Sequence, residues 1–336
     1  MTFAEVDYYK ISRFRLDGNQ LSGNTAEDFG VYPNLTYVDL SFNKFDGKIS
    51  SNWARCPYLV TLRIAGNNIT GSIPPEIGKA TQLEALDLSS NRLVGEIPNE
   101  LGKLTRISKL LNLSNNQLSG GIPPEFESLT NLERLDLSGN NLSQSIQYLG
   151  NCIKLHYLNL SYNKFSEEIP SQLENLLQLS QLDLSHNFLR EEIPSQISKM
   201  QNLLQLNLSH NRLSGFLPDS FKNMLGLEYI DVSYNDLQGP IPDSPAFKTA
   251  SIEALQGNKG LCGNVTGLSP MFYGPGGPYA MFAGRDASRA LALMSFDPQD
   301  LTGNTEGLSE SELEVLQDWE LKFMEKYLKV GQIVPQ

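Results

Sequence analysis

The chain has 336 residues, 40% of them hydrophobic, enough for a sizeable core and for two units of ordinary size. Its 38 acidic and 26 basic side chains leave a formal charge of −12, divided as −7 over residues 1–267 and −5 over 268–336. Neither part offers the clustered Lys and Arg that phosphate binding needs, so a nucleic-acid partner is excluded. No run of about 18 apolar residues marks a membrane span. The three cysteines (Cys56, Cys152, Cys262) are no disulfide framework.

In chain order, the opening MTFAEVDYYK has neither the basic nor the apolar region of a signal peptide, which predicts a soluble, cytosolic chain. Then a unit L-x-x-L-x-L-S-x-N-x-L-x-G-x-I-P repeats every 24 residues. Its asparagines are Asn19, Asn43, Asn67, Asn91, Asn116, Asn140, Asn163, Asn187, Asn211 and Asn235, with one step of 25 before Asn116 and one of 23 before Asn163. Residues 1–10 do not resemble a cap for such an array, so the first repeat is expected to expose an apolar edge and fray.

The spacing dictates the local structure. In LEALDLSSNRL the residues Leu86 and Leu88 alternate with Ala85, Asp87 and Ser89, the signature of a short strand with one buried face. Leu83, Leu86, Leu88 and Leu93 point inward, and only stacked neighbours bury them. Parallel strands then succeed one another at about 4.8 Å. Each Asn turns the chain, and its amide is predicted to bond backbone groups of adjoining turns in an unbroken ladder, because an unpartnered buried amide costs about 1–3 kcal/mol. Gly71 and Gly95 suit the next turn, and Ile73-Pro74 and Ile97-Pro98 start an extended segment with few internal bonds. Cys56 and Cys152 occupy matching positions four turns apart, roughly 19 Å at strand spacing, too far for a disulfide. All three thiols are expected to be free.

Outward strand positions form two columns. One runs Arg15, Asp39, Arg63, Asp87, Asn112, Asp136, Asn159, Asp183, Asn207, Asp231, and the other includes Arg13, Tyr37, Thr61, Ala85, Arg134, Tyr157, Gln181, Gln205 and Tyr229. Asp or Asn between two leucines is the repeat's own consensus. The departures from it, Arg13, Arg15, Tyr37, Arg63, Arg134, Tyr157 and Tyr229, are the candidate ligand-binding residues, since Tyr and Arg dominate recognition surfaces. Seven N-x-S/T sequons occur. Asn34, Asn68, Asn141 and Asn264 are candidate glycosylation sites, whereas Asn112, Asn159 and Asn207 arise from the consensus itself. His156, His186 and His210 are the only histidines, with His186 and His210 at equivalent positions of adjacent repeats; no acid or thiol completes a metal site. No nucleophile–base set or phosphate loop occurs, so no catalytic residue is assigned.

The LxGxIPxxL unit resembles the plant-specific class of leucine-rich repeat found in receptor-like kinases and receptor-like proteins. NNITGSIPPEIGKATQLEALDLSSNRLVGEIP and LQGPIPDSPAFKTASIEALQGNKGLCG are similar to the membrane-proximal half of one ectodomain clade, which senses serine-rich secreted peptides. The resemblance implies a plasma-membrane or extracellular setting. A peptide ligand would lie along the concave face, and a co-receptor kinase ectodomain would meet the last repeats. It implies no cofactor for the repeats.

After about residue 268 the composition changes. Asp286 is placed to cap a helix over Ala287–Met294. Ser309 and Glu312 form a capping box, leading a helix with Leu313, Leu316, Trp319, Phe323 and Tyr327 on one face. FYGPGGPYAMFAGRDASRALA and LQDWELKFMEKYLKVG resemble the C-terminal two-thirds of the cytochrome b5-like domain of membrane-associated progesterone receptors. That resemblance implies steroid binding and a haem whose iron Tyr279 would ligate, with Tyr273, Lys326 and Tyr327 around it.

The expected fold class is therefore α/β: a right-handed solenoid of about ten leucine-rich repeats over 1–262, a linker at 263–270, and a small, mainly helical cytochrome b5-like fragment over 271–332. The expected role is non-catalytic recognition of a peptide or co-receptor. A haem- or steroid-binding protein carrying the repeats as a passenger, and a fused product without selected function, stay open beside it.

Overall fold

A computed structural model describes residues 9–258, 260–262 and 287–326. Ten three-residue strands form one parallel sheet, each pairing with the next in sequence order. They are rungs 1 to 10: Arg13–Arg15, Tyr37–Asp39, Thr61–Arg63, Ala85–Asp87, Leu110–Asn112, Arg134–Asp136, Tyr157–Asn159, Gln181–Asp183, Gln205–Asn207 and Tyr229–Asp231. Register is kept throughout, for instance Leu62 opposite Leu86 and Leu182 opposite Leu206. The middle residue of each strand is buried and its neighbours face outward, as the alternation requires.

The leucines behave as their spacing predicts. Leu83, Leu86, Leu88 and Leu93 have no exposed surface, and they join one continuous core from Phe14 to Leu261. The 25-residue step is absorbed ahead of its strand. Ser108 and Lys109 both donate backbone N–H to the Glu84 carbonyl, at 3.2 and 2.9 Å, so Leu110 still pairs with Ala85. Ile107 and Leu111 remain fully buried.

The Asn ladder is the second organising device. In Asn140, Oδ1 accepts from Leu118 N–H one turn back (3.0 Å), while Nδ2 donates to the carbonyls of Leu113, Leu137 and Ser138. The same four contacts recur from Asn43 to Asn235. Asn258, in the phrase GNKGLCG, adds a further step that the 24-residue count does not reach. Asn19 is exposed, and its amide bonds only Leu16 and Asp17 of its own turn.

Beyond the ladder the chain forms a second set of short parallel strands, with glycines such as Gly71 and Gly95 in the left-handed region (φ 77° and 83°). On the opposite side the Ile-Pro segments differ from expectation. Pro74 is extended (φ −69°, ψ 132°), but Pro75–Lys79 then closes one turn of 3-10 helix, and most repeats do likewise. Proline with its fixed φ is well placed ahead of a helical turn, which gives the following N–H groups partners that an extended segment lacks. Cys56 and Cys152 are buried free thiols; burial pushes Cys152 up to about 12. The Cys262 side chain lies outside the described residues.

The solenoid's C-terminal end is covered. A short helix, Pro245–Thr249, is capped by Ser244 and buries Ala246 and Phe247, with Phe247 meeting Phe221 edge-on at 5.9 Å. Further on, Ser288–Leu293 and Glu310–Lys326 are helices that pack on one another, burying Ala290 and Ala292. One half of the capping box is formed: Glu312 Oε2 accepts from the Ser309 N–H and hydroxyl, both at 2.7 Å, while the Glu312 N–H bonds the Ser309 carbonyl rather than its hydroxyl. The first helix, Ser288–Leu293, is shorter than Ala287–Met294, and its N-cap residue Ala287 gives no side-chain cap; Asp286 lies outside the described residues. Leu313 is exposed and Leu316 and Trp319 are half-buried, so that stripe is only partly covered.

Candidate recognition face

The ten-stranded sheet displays the two outward columns in the predicted order. In the first, most Asp and Asn side chains are tied down locally. Oδ1 of Asp87, Asn112, Asp136, Asn159, Asn207 and Asp231 accepts from both the N–H and the hydroxyl of the serine two residues on. This is a turn-forming contact at the end of each strand, so the consensus acids are structural through one oxygen. The second oxygen is left for the face. Tyr37, Tyr157 and Tyr229 donate their hydroxyls to Oδ2 of Asp39, Asp136 and Asp231, at 3.3, 3.5 and 3.3 Å. Burial pushes the Tyr157 and Tyr229 phenols up, helped by Asp136 and Asp231 respectively, so both remain hydrogen-bond donors at neutral pH.

The candidate arginines fall into two arrangements. Arg13 lies over the Tyr37 ring (4.8 Å to its centroid) and Arg134 over Tyr157 (4.3 Å). Each is a cation–π pair across adjacent strands that holds a long side chain flat on the sheet. Arg15 pairs with Asp17 at 3.3 Å and is largely exposed. Arg63 is half-buried opposite Asp39 and Asp87, with its Nε unbonded. The seven candidates therefore form a group on rungs 1 to 3 (Arg13, Arg15, Tyr37, Arg63), a pair on rungs 6 and 7 (Arg134, Tyr157), and Tyr229 on rung 10. They share one face but not one pocket.

One aromatic column goes beyond the predicted residues. Tyr162, His186, His210 and Tyr234 precede the ladder asparagines of rungs 7 to 10 and stack face to face, with ring centroids 4.1, 4.1 and 4.3 Å apart. Beside them Arg212 lies over Phe188 at 4.9 Å. The 24-residue step places these four rings in one column, so reading the position before the Asn would have found them.

Asn34, Asn68 and Asn141 are exposed, as a glycan acceptor must be, whereas Asn112, Asn159 and Asn207 are half-buried and hold their own sequon serines. Asn264, Tyr273, Tyr279 and Tyr327 lie outside the described residues, as does the side chain of Lys326. Among the described residues no helix is long and apolar enough to cross a membrane.

Stacked leucine strands, an asparagine ladder and a polar outward face define a leucine-rich-repeat solenoid. Comparison with known proteins agrees. The leucine-rich repeat matches residues 34–56, 58–80 and 82–104, its two-copy form 109–151, and the leucine-rich repeat region 135–239. The ectodomain of the Arabidopsis thaliana receptor kinase GASSHO1/SCHENGEN3, solved with CASPARIAN STRIP INTEGRITY FACTOR 2, is 38% identical with a TM-score of 0.73, over 76% of this chain and 30% of that one. The Arabidopsis receptor kinase HAESA, solved with the peptide hormone IDA and the co-receptor SERK1, is 31% identical (TM-score 0.66; 77% and 47%).

A segment of 75 residues is 68% identical to Membrane steroid-binding protein 1 of Oryza sativa subsp. japonica, covering 22% of this chain and 32% of the relative. Another match is 56% identical over 70 residues to Probable steroid-binding protein 3 of Arabidopsis thaliana, covering 21% and 68%. Through that segment the chain belongs to the steroid-binding protein family, while its repeats are leucine-rich repeats similar to those of plant receptor ectodomains. The chain spans about a third of the length of the first curated relative and of the first receptor ectodomain.

Proposed function

We propose that the chain is a non-catalytic recognition module that binds a peptide or a co-receptor ectodomain through its concave face and last repeats. The observation that carries this is the pair of arginine–tyrosine stacks, Arg13–Tyr37 and Arg134–Tyr157, on an outward sheet face. They keep two guanidinium groups and two phenols ordered before any partner arrives, which lowers the entropy cost of binding. Two neighbours of the same fold were solved with bound partners, CASPARIAN STRIP INTEGRITY FACTOR 2 in one and the peptide hormone IDA with the co-receptor SERK1 in the other, which supports the reading. The setting we assign is the outer face of the plasma membrane, with glycans on Asn34, Asn68, Asn141 and Asn264.

The test is binding of a co-receptor ectodomain and of candidate peptides to the folded, glycosylated chain. Arg134→Ala and Tyr157→Ala should each weaken binding by about 1–2 kcal/mol. No binding by the folded chain retires the reading.

The steroid-binding relatives favour a second reading, in which the segment they match, assigned to residues 271–332, binds a steroid or haem. Tyr279 would ligate the iron, with Tyr273, Lys326 and Tyr327 around it. Reconstitution with hemin should then give a Soret band that Tyr279→Phe abolishes; no band in the parent chain retires the haem assignment.

A further inference from the structure

Four residues share an unusual backbone: Tyr162, His186, His210 and Tyr234 all lie in the left-handed region, at φ of 53°, 52°, 54° and 52°. The same position in rungs 2 to 6 carries Phe42, Gly66, Ser90, Asn115 and Gly139. Only rungs 7 to 10 place rings there consecutively. A common φ on strands in register aims the rings alike, and they stack with interplanar angles of 12°, 12° and 18°. Each imidazole therefore has a phenol on one side and the other imidazole on the remaining side.

We propose that this ladder is a proton-sensitive element: it takes up one proton while intact, resists a second, and opens when both imidazoles are charged. One imidazolium against a phenol face is a favourable cation–π arrangement, whether it is His186 on Tyr162 or His210 on Tyr234. Two imidazolium rings 4.1 Å apart repel with nothing between them. The charged and titratable groups around the ladder are Asp183 on the rung of His186, Asp231 two rungs on, the two phenols, and Lys164, Arg212 and Asp236 in the neighbouring column. The carboxylates favour a single charge.

The balance at His186 agrees with this. Burial holds it below the ordinary 6.5, His210 adds to that, and Asp183 and Asp231 oppose it. A depressed histidine binds fewer protons folded than unfolded, so its contribution to stability is complete above 6.5 and is lost as pH falls through the lowered value. Tyr162, His210 and Tyr234 are exposed and His186 is half-buried, so opening of the ladder is expected to be felt first at the backbone amides that carry the rings. None of this depends on whether the concave face binds a peptide.

The test is NMR titration of the histidine Cε1–H signals in the full chain, assigned with His156→Gln, His186→Tyr and His210→Tyr. The ladder signals should titrate in two steps separated by about tenfold or more in proton concentration. In His210→Tyr, His186 should titrate at higher pH than in the parent chain. A single shared midpoint, or a His186 midpoint unchanged by His210→Tyr, overturns the coupling.

Opening is read separately. The amides of His186 and His210, bonded to the Ser209 and Ser233 carbonyls, should lose hydrogen-exchange protection through the second step in the parent chain and keep it in His210→Tyr. Equal loss in both overturns the opening.

Discussion

At the scale of single residues, the asparagine ladder separates positions that look alike in sequence. Asn140 and Asn19 occupy the same place in the repeat, yet Asn140 is buried with two of its four bonds reaching the preceding turn, and Asn19 is exposed with bonds only to its own. Asn140→Ala leaves the Leu118 N–H without its side-chain partner inside the core and leaves the Leu113 carbonyl with the Asn116 amide alone. It should cost roughly 2–3 kcal/mol by urea unfolding, whereas Asn19→Ala should cost less than about 0.5 kcal/mol. Equal costs would show that the ladder is not what fixes the turns. The leucine positions and the ladder from Asn43 to Asn235 were legible in the sequence because each repeats at one stride and has one physical role. The local bonding of the column acids was not, because Asp87 bonds Ser89 through a turn geometry that spacing leaves undetermined.

At the scale of elements, the second strand set shows what happens when the glycine of the turn is replaced. Gln144 and Glu191 stand where Gly95 and Gly120 stand in other repeats, and both adopt positive φ (68° and 66°). A side chain there strains the backbone by about 1–2 kcal/mol, partly offset by the greater unfolded freedom of glycine. Gln144→Gly and Glu191→Gly should therefore each stabilise the solenoid by about 0.5–1 kcal/mol. A loss of stability in both would mean that their side chains contribute contacts worth more than the strain.

Where Glu167 takes that place, the strand set is interrupted. Lys164–Phe165 ends one sheet, Arg190–Glu192 begins the next, and a single bridge from Glu168 to Arg190 joins them. The sequence shows the missing glycines; whether a rung keeps the turn or gives up the pairing depends on neighbours that only the stacked structure supplies.

The C-terminal helix carries a pH-dependent cap of its own. Hydrogen bonds from the Ser309 N–H and hydroxyl hold the Glu312 carboxyl below its ordinary 4.5. A lowered acid contributes stability that is complete above 4.5 and disappears as pH falls through the lowered value. Helicity of Glu310–Lys326 should therefore decline in that window, and Glu312→Gln should remove the decline, as read by amide exchange at the helix start. The capping box was legible because its two residues lie three apart in one segment. The haem and steroid residues of the same region, Tyr273, Tyr279 and Tyr327, rest on resemblance alone.

At the scale of the whole molecule, a solenoid's stability is a sum over neighbours, and its ends differ from its middle. Rung 1 has a described strand partner on one side only, and Leu21 beyond it is 41% exposed, while the equivalent Leu118 and Leu142 are fully covered. The aromatic cluster of Phe14, Phe29, Tyr32 and Trp53 fills this end with large rings in edge contacts of 5.0 to 5.9 Å and one tilted contact of 5.3 Å. Such rings bury area but supply no backbone hydrogen bond to the outer edge of the rung 1 strand. The opposite end is closed: Val232 and Tyr234 donate to the Ala254 and Gln256 carbonyls, Asn258 continues the ladder, and Phe247 covers the core. Local opening should therefore start at rung 1 and move inward, because each opened rung exposes the next leucine layer but only one interface is lost at a time. Amide protection is expected to be lowest at Arg13–Arg15, to rise over rungs 2 to 4, and to be highest between Asn140 and Asn235. Limited proteolysis should cut first on the same side. Uniform protection from rung 1 to rung 10 would mean that the solenoid unfolds as one cooperative block, and that the exposure of Leu21 beside rung 1 has no energetic consequence.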